Sequence, residues 1–214
     1  FNDVLDYVIE AFFENNKNGL FIHVSSAGAL YKVCEDEIDE SFDMAPTTTY
    51  GLIKQEQEDL IFKKYFDKKI VILRPANIYG DPKKKNRKTG IIDLAIDTIS
   101  SNGKVNVFSN LNSSRDYLFI DDFVNLVKNI ILSKKLKSTL EVYNVSSHER
   151  LSLKKIFSEI EDVFKTKLNL EINEKTNCDH LNVNSQKARD TFNWSPNENF
   201  NFNLKKIKSN LEGY

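Results

Sequence analysis

Apolar residues at Val4, Leu5, Val8, Ile9, Phe12 and Phe13 recur at the helical period, so residues 3–16 read as a helix with one buried face. Asn16-Lys17-Asn18-Gly19 ends it. Residues 20–24 are a short apolar run, read as a buried strand that closes on the small residues Ser25-Ser26-Ala27-Gly28-Ala29. Residues 32–46 are acidic and irregular and end at Pro46; a long helix over about 48–66 follows. Residues 69–73, with three β-branched residues in a row, form the next strand. The chain leaves it through Arg74-Pro75-Ala76-Asn77-Ile78-Tyr79-Gly80.

Beyond a basic loop (Lys83, Lys84, Lys85, Arg87 and Lys88), residues 91–99 are helical and Asn102-Gly103 stops them. Strands are expected at 105–108 and 115–120, with Asp121 or Asp122 capping a helix that runs to Leu132. Residues 141–145 and 168–172 alternate as strands, and Ser152 caps a helix to about Phe164. Two short helical patterns, 185–191 and 203–211, flank Asn193-Trp194-Ser195-Pro196. The repeated order of helix and strand requires crossover connections, which implies an α/β chain with a mainly parallel sheet. The shorter mixed elements that follow suggest a smaller C-terminal lobe.

Composition adds limits. The chain has 214 residues, 40% of them hydrophobic and 29% charged, which suits one sizeable core. Its net charge of −1 implies neither a nucleic acid nor a membrane partner. Cys34 and Cys178 are far apart, and His23, His148 and His180 share no ligand spacing, so no metal site is expected. Two lone thiols and the lack of a membrane-length apolar run make a cytoplasmic protein the expectation. Only Arg74, Arg87, Arg115, Arg150 and Arg189 depart from Lys as the usual cation, which suggests that the planar guanidinium matters where it occurs.

Candidate chemistry begins at Tyr50-Gly51-Leu52-Ile53-Lys54. Four residues apart on a helix, the phenol and the ammonium share a face. A positive charge beside a phenol favours the phenolate, so such a pair can move protons.

Several segments, in order, resemble the extended short-chain dehydrogenase/reductase family, in particular its nucleotide-sugar epimerase/dehydratase group. Phe21-Ile22-His23-Val24-Ser25-Ser26 with Tyr31 is similar to the family's strand and Ser-rich turn. Asp39-Glu40, Pro46, Tyr50-Gly51 and Lys54 follow its next stretch. Leu73-Arg74-Pro75-Ala76-Asn77-Ile78-Tyr79-Gly80 and Arg115-Asp116-Tyr117 through Asp122 match two more, and Tyr143-Asn144-Val145 and Trp194-Ser195-Pro196 match weakly. The family's Gly-x-x-Gly-x-x-Gly, whose backbone approaches a cofactor pyrophosphate, does not occur in this sequence. With Phe1 inside a helical pattern, the expectation is an N-terminally truncated, inactive chain. Its Rossmann-like, mainly parallel sheet would lack its first strands, and a smaller mixed α/β C-terminal lobe would bind substrate. Residues 1–82 and about 103–135 would belong to the Rossmann-like part, and 83–102 and 136–214 mostly to the lobe.

The resemblance implies NAD or NADP as cofactor and a nucleotide-diphosphate sugar as substrate. Tyr50 would act as catalytic base, assisted by Lys54 and by a hydroxyl from Ser26. Ser25, Tyr50, Lys54, Pro75 and Ala76 would contact the cofactor; Asn77 and Arg115 would contact the substrate, Arg115 through a bidentate phosphate contact. The alternative for Arg115 is an ion pair with Asp116 or Asp121. Arg74 is expected to brace its turn, and loop 83–88 to be a solvated insertion. The family's usual Ser/Thr position holds Ala27, and the Asp-Glu pair of its dehydratases is replaced by Gly28-Ala29. That disfavours elimination and leaves epimerisation by transient oxidation of a sugar carbon. A 4-keto reductase of the same fold and a non-catalytic binding or scaffold protein are the alternatives. Family analogy also suggests a homodimer in which the Tyr50 helix and the first helix, carrying Phe12 and Phe13, form a four-helix contact.

Overall fold

The structure is a computed structural model that describes residues 2–33, 36–80, 90–133, 136, 139–173 and 178–212. The basic loop 83–88 and Cys34 lie outside the described residues.

The first layer is built on β3 (Ile70–Pro75), flanked by β1 (Phe21–Val24) and β7 (Leu140–Val145), all parallel in the order β1-β3-β7. Every residue of β3 is buried. Ile70 and Ile72 pack with Ile9 and Phe13 of α1 (Asn2–Asn15) and with Ile61 of α3 (Thr49–Lys64). Val71 and Leu73 face the other way. They pack with Leu126 and Ile130 of α5 (Ile120–Leu132) and Phe192 of α7 (Gln186–Phe192). A strand covered on both faces needs apolar residues at both parities, which is why this one reads as a continuous run rather than an alternation.

The chain leaves β3 through the single residue Ala76 and enters β4 (Asn77–Tyr79), which belongs to a different sheet. That sheet has the order β2-β10-β6-β4, formed by β2 (Glu37–Ile38), β10 (His180–Val183), β6 (Ser114–Phe119) and β4. β8 (Arg150–Ser152) pairs antiparallel to β6, and β5 (Val105–Val107) pairs in parallel with β9 (Leu170–Ile172). Behind these strands, α4 (Ile91–Ser101), α6 (Leu153–Phe164) and α8 (Phe200–Glu212) enclose the largest apolar cluster, including Ile96, Tyr117, Phe157, Phe200 and Leu204. The architecture is a mixed α/β fold with mainly parallel sheets, as the sequence leads one to expect. Because β3 and β4 are one residue apart yet lie in different sheets, a cleft opens at Ala76.

Ser152 caps α6 as expected, its Oγ accepting from the Lys155 N–H (3.2 Å), and Thr48 Oγ1 caps α3, accepting from the Gly51 N–H (3.1 Å). α5 is different. β6 runs into it with no connecting residue, so Phe119 occupies the cap position and neither Asp121 nor Asp122 caps the helix. Both acids instead sit in the first turn, where the helix dipole favours them. There Asp121 pairs with Lys206 (2.7 Å), and Asp122 Oδ2 accepts from the Asn197 N–H (3.2 Å). Phe12 meets Phe13 and Phe21 edge-on and Phe13 meets Phe21 at a tilt, so both turn inward and the outward face of α1 is Val4, Tyr7 and Val8.

Candidate active site

The cleft at Ala76 widens into a cavity of about 590 Å³ at the C-terminal ends of β1 and β3. Ser25, Ser26, Tyr50, Pro75, Ala76, Asn77 and Arg115 all line it. Lys54, the other residue expected to contact cofactor or substrate, is not on the wall. It stands just behind, donating from Nζ to the carbonyl of the lining residue Val24 at 2.8 Å, with its ammonium 5.8 Å from the Tyr50 ring centroid. The helical spacing of four thus brings the two groups together, with Tyr50 itself 56% exposed at the mouth. Partial burial lowers the Lys54 pKa, and the nearby charge of Glu58 opposes that shift.

The Ser-rich turn gives its two hydroxyls different settings. Ser26 begins α2 (Ala27–Leu30) in an extended conformation, and its side chain makes no capping bond. Ser25 is buried; its N–H donates to Leu73 O (2.7 Å), while its Oγ has no hydrogen-bond partner among the described residues. An unpartnered buried hydroxyl on a cavity wall is costly unless something in the cavity bonds it. Ala27 is fully buried among Tyr31, Ile38, Leu181 and Val183, so its place in the turn is a packing position.

Across the cavity, Arg115 makes no ion pair among the described residues. The alternative partners are occupied or turned away: Asp121 holds Lys206, and Asp116 points to the opposite face of β6 and accepts from the Val183 N–H (2.5 Å). Arg74 does not line the cavity; it is buried against Glu58 of α3 rather than on the turn that follows its strand.

Three further features were not singled out in the sequence. Tyr79 and Tyr117 stack edge-on (6.5 Å) within the lining, and burial raises the pKa of each phenol, that of Tyr117 to about 12. Phe108, 62% exposed, presents an open aromatic face at the rim. Both tyrosines lie in the quoted motifs, whereas in sequence Phe108 is only the end of an expected short strand. His23 is buried beside Lys54 with its Nε2 unpartnered among the described residues, and desolvation together with the Lys54 charge holds its pKa at about 4. Among the described residues no group of three or more His, Cys, Asp or Glu could hold a metal, and no helix is long and apolar enough to cross a membrane.

A phenol and an ammonium at the strand ends, a free hydroxyl beside them and a guanidinium opposite can transfer a proton next to an anionic ligand. The comparisons point the same way. Residues 4–146 match the family model of the NAD dependent epimerase/dehydratase family, and the chain belongs to that family. It is 27% identical over 197 residues to the dTDP-4-dehydro-6-deoxyglucose reductase of Escherichia coli, a match covering 89% of this chain and 61% of the relative. Among solved structures it superimposes with a TM-score of 0.84 on a UDP-N-acetylglucosamine 4-epimerase from Methanobrevibacter ruminantium M1, at 19% identity, covering 99% of this chain and 69% of that one. The UDP-glucuronic acid 4-epimerase from Bacillus cereus, solved with UDP-glucuronic acid and NAD, gives a TM-score of 0.77 at 22% identity, covering 91% and 62%. The chain therefore spans about three fifths of the length of the E. coli and B. cereus proteins.

Proposed function

We propose that the protein is a cytoplasmic, NAD(P)-dependent nucleotide-sugar epimerase that works by transient oxidation of a sugar carbon. The observation that carries this reading is the Tyr50 phenol on the cavity wall with the Lys54 ammonium 5.8 Å from its ring centroid. The residues present fit the nicotinamide end of the cofactor: Ser25 Oγ is a buried hydroxyl without a partner, and Lys54, Pro75 and Ala76 surround the same strand ends. The bound nicotinamide supplies the hydride acceptor and donor. Tyr50 takes the proton from the sugar hydroxyl as the carbon is oxidised and returns it after the sugar has turned. Lys54 stabilises the phenolate and holds ribose hydroxyls. Ser25 or Ser26 donates a hydrogen bond to the reacting oxygen. Asn77 and Arg115 bind the diphosphate, whose charge Arg115, in no ion pair among the described residues, is placed to meet. The outward faces of α1 and α3, with Val4, Tyr7, Val8, Leu52 and Phe62 exposed, would pair two copies.

A second reading, a 4-keto reductase, is favoured by the E. coli reductase aligning with 89% of the chain. The two differ in stoichiometry. With the full-length protein and a panel of UDP-, GDP- and dTDP-sugars, an epimerase leaves nicotinamide absorbance unchanged at steady state, and a reductase consumes the reduced form one for one. Tyr50→Phe should remove turnover and leave sugar-nucleotide binding intact. Activity within a few-fold of the parent would show that Tyr50 is not the base.

A further inference from the structure

Arg74 and Glu58 form an ion pair out of water: Glu58 is fully buried and Arg74 is 4% exposed. Nε donates to both carboxylate oxygens at 3.1 Å, and Nη2 donates to Oε2 at 2.6 Å. Nη1 donates to the Tyr31 hydroxyl at 2.6 Å, which in turn donates to Asn144 Oδ1 at 3.0 Å. Asn144 continues the network, its Nδ2 reaching Ile38 O (3.2 Å) and its N–H reaching Glu40 Oε1 (2.7 Å). One guanidinium thereby joins α3, β3, the turn after α2 and, through Asn144, β7.

Stability alone does not account for this arrangement. Desolvating two charges offsets much of their attraction, and apolar pairs of similar volume often replace buried ion pairs at no net cost. What an apolar pair cannot reproduce is direction, because a guanidinium fork on a carboxylate fixes distance and rotation together. Glu58 lies four residues after Lys54 and eight after Tyr50, on the same side of α3. Arg74 immediately precedes Pro75, Ala76 and Asn77 of the cavity wall. Any rotation or slide of α3 against β3 would therefore move the phenol and the ammonium relative to that wall.

We propose that Glu58 and Arg74 are positioning residues that fix the rotation and height of α3 on β3, and so set where Tyr50 and Lys54 stand at the cavity. This rests on the proton-transfer reading of Tyr50 given above. The test uses the full-length protein, a Glu58→Leu/Arg74→Met double variant, and Glu58→Asp, which keeps the charge but shortens the arm. Misplacing a reacting group by about 1 Å costs roughly 10²-fold. The double variant should therefore lose kcat by about that factor with KM for the sugar nucleotide little changed, and Glu58→Asp should not restore the parental kcat. A crystal structure of either variant should show Lys54 Nζ displaced from its 2.8 Å contact with Val24 O. Parental kcat in both variants, or Lys54 and Tyr50 unmoved in the crystal, overturns the proposal. If the parent itself turns over no nucleotide-sugar, the proposed function fails, and the crystal structures alone decide whether the pair positions the helix. Should the double variant not fold, Glu58→Asp carries both readouts.

Discussion

Gly51 is where the site depends most directly on the size of one side chain. It follows Tyr50 in the first turn of α3, where the helix crosses α2. A Cβ built on it would stand 2.3 Å from the carbonyl oxygen of Ala29 and 2.8 Å from Pro46 Cβ. The nearest obstacle is backbone, and that backbone is fixed, since the adjacent Leu30 carbonyl accepts from the Ala45 N–H at 2.8 Å. Gly51→Ala therefore sets two effects against each other. Helix propensity favours Ala by about 1 kcal/mol. Overpacking a close contact costs about 1–3 kcal/mol, and relieving this one requires the helix end to retreat by roughly 1 Å. With a backbone atom as the obstacle the clash should win, leaving a net loss of up to about 2 kcal/mol, visible as a lower urea midpoint with an unchanged slope. Gly28→Ala is the control: its Cβ would meet Asn77 Oδ1 at 3.4 Å, an ordinary contact, and it too lies in a helix, so its midpoint should hold or rise. Because Tyr50 rides on the displaced turn, Gly51→Ala should also lower kcat by about 10²-fold in the full-length protein. Equal midpoints for the two variants would refute the steric argument, and normal kcat in a destabilised Gly51→Ala would refute its extension to the site.

The remaining predictions concern protons, hydroxyls and assembly. His23 titrates at 6.5 when unfolded and about 4 when folded, so the native state holds fewer protons in that interval. It contributes stability above pH 6.5 that is lost as pH falls towards 4, on the order of 3 kcal/mol, and His23→Gln should remove that loss in urea titrations at several pH values. Asp116 has the opposite sign. Burial raises its folded pKa from 3.8 to about 6, so its contribution is complete below pH 3.8 and is lost as pH rises through 6. Asp116→Asn, which still accepts from the Val183 N–H, should flatten that limb, and a parental pH profile would show that the carboxyl is not desolvated. Ser25→Ala should weaken cofactor affinity more than Ser26→Ala in calorimetric titration of the full-length protein, since only Ser25 Oγ is buried without a partner; equal effects would assign the hydroxyl to neither. Tyr7→Glu on the outward face of α1 should yield a monomer by light scattering, and an unchanged mass would rule out pairing through that face.

How much of this could be read from the chain follows from where each signal is local. The pair Tyr50 and Lys54 is set by helical spacing alone, and the apolar run of β3 follows from burial on both faces, so both were legible. The cap on α5 was not, because whether Asp121 or the last residue of β6 occupies the cap depends on the strand ending without a connecting residue. The short strands β2, β4, β8 and β10 were missed for a related reason. Two to four residues carry too little periodicity, and each exists only because β6 is there to pair with it or, for β2, because β10 is. The site itself divides along the same line. Ser25 and Ser26 are chemically identical in sequence, and register decides between them. β1 pairs in parallel with β3, which places the Ser25 N–H on Leu73 O and turns its side chain inward, while Ser26 begins a helix whose next residue, Ala27, is consumed by packing. Arg74 and Arg115 are likewise one residue type with opposite assignments. Glu58, sixteen residues before Arg74, supplies a buried partner that neutralises it. Asp116, adjacent to Arg115, lies across the strand and cannot reach it, since successive side chains point to opposite faces. Adjacency in sequence made Asp116, with Asp121, a candidate partner; the period of the strand turns Asp116 to the opposite face, and among the described residues Arg115 makes no ion pair.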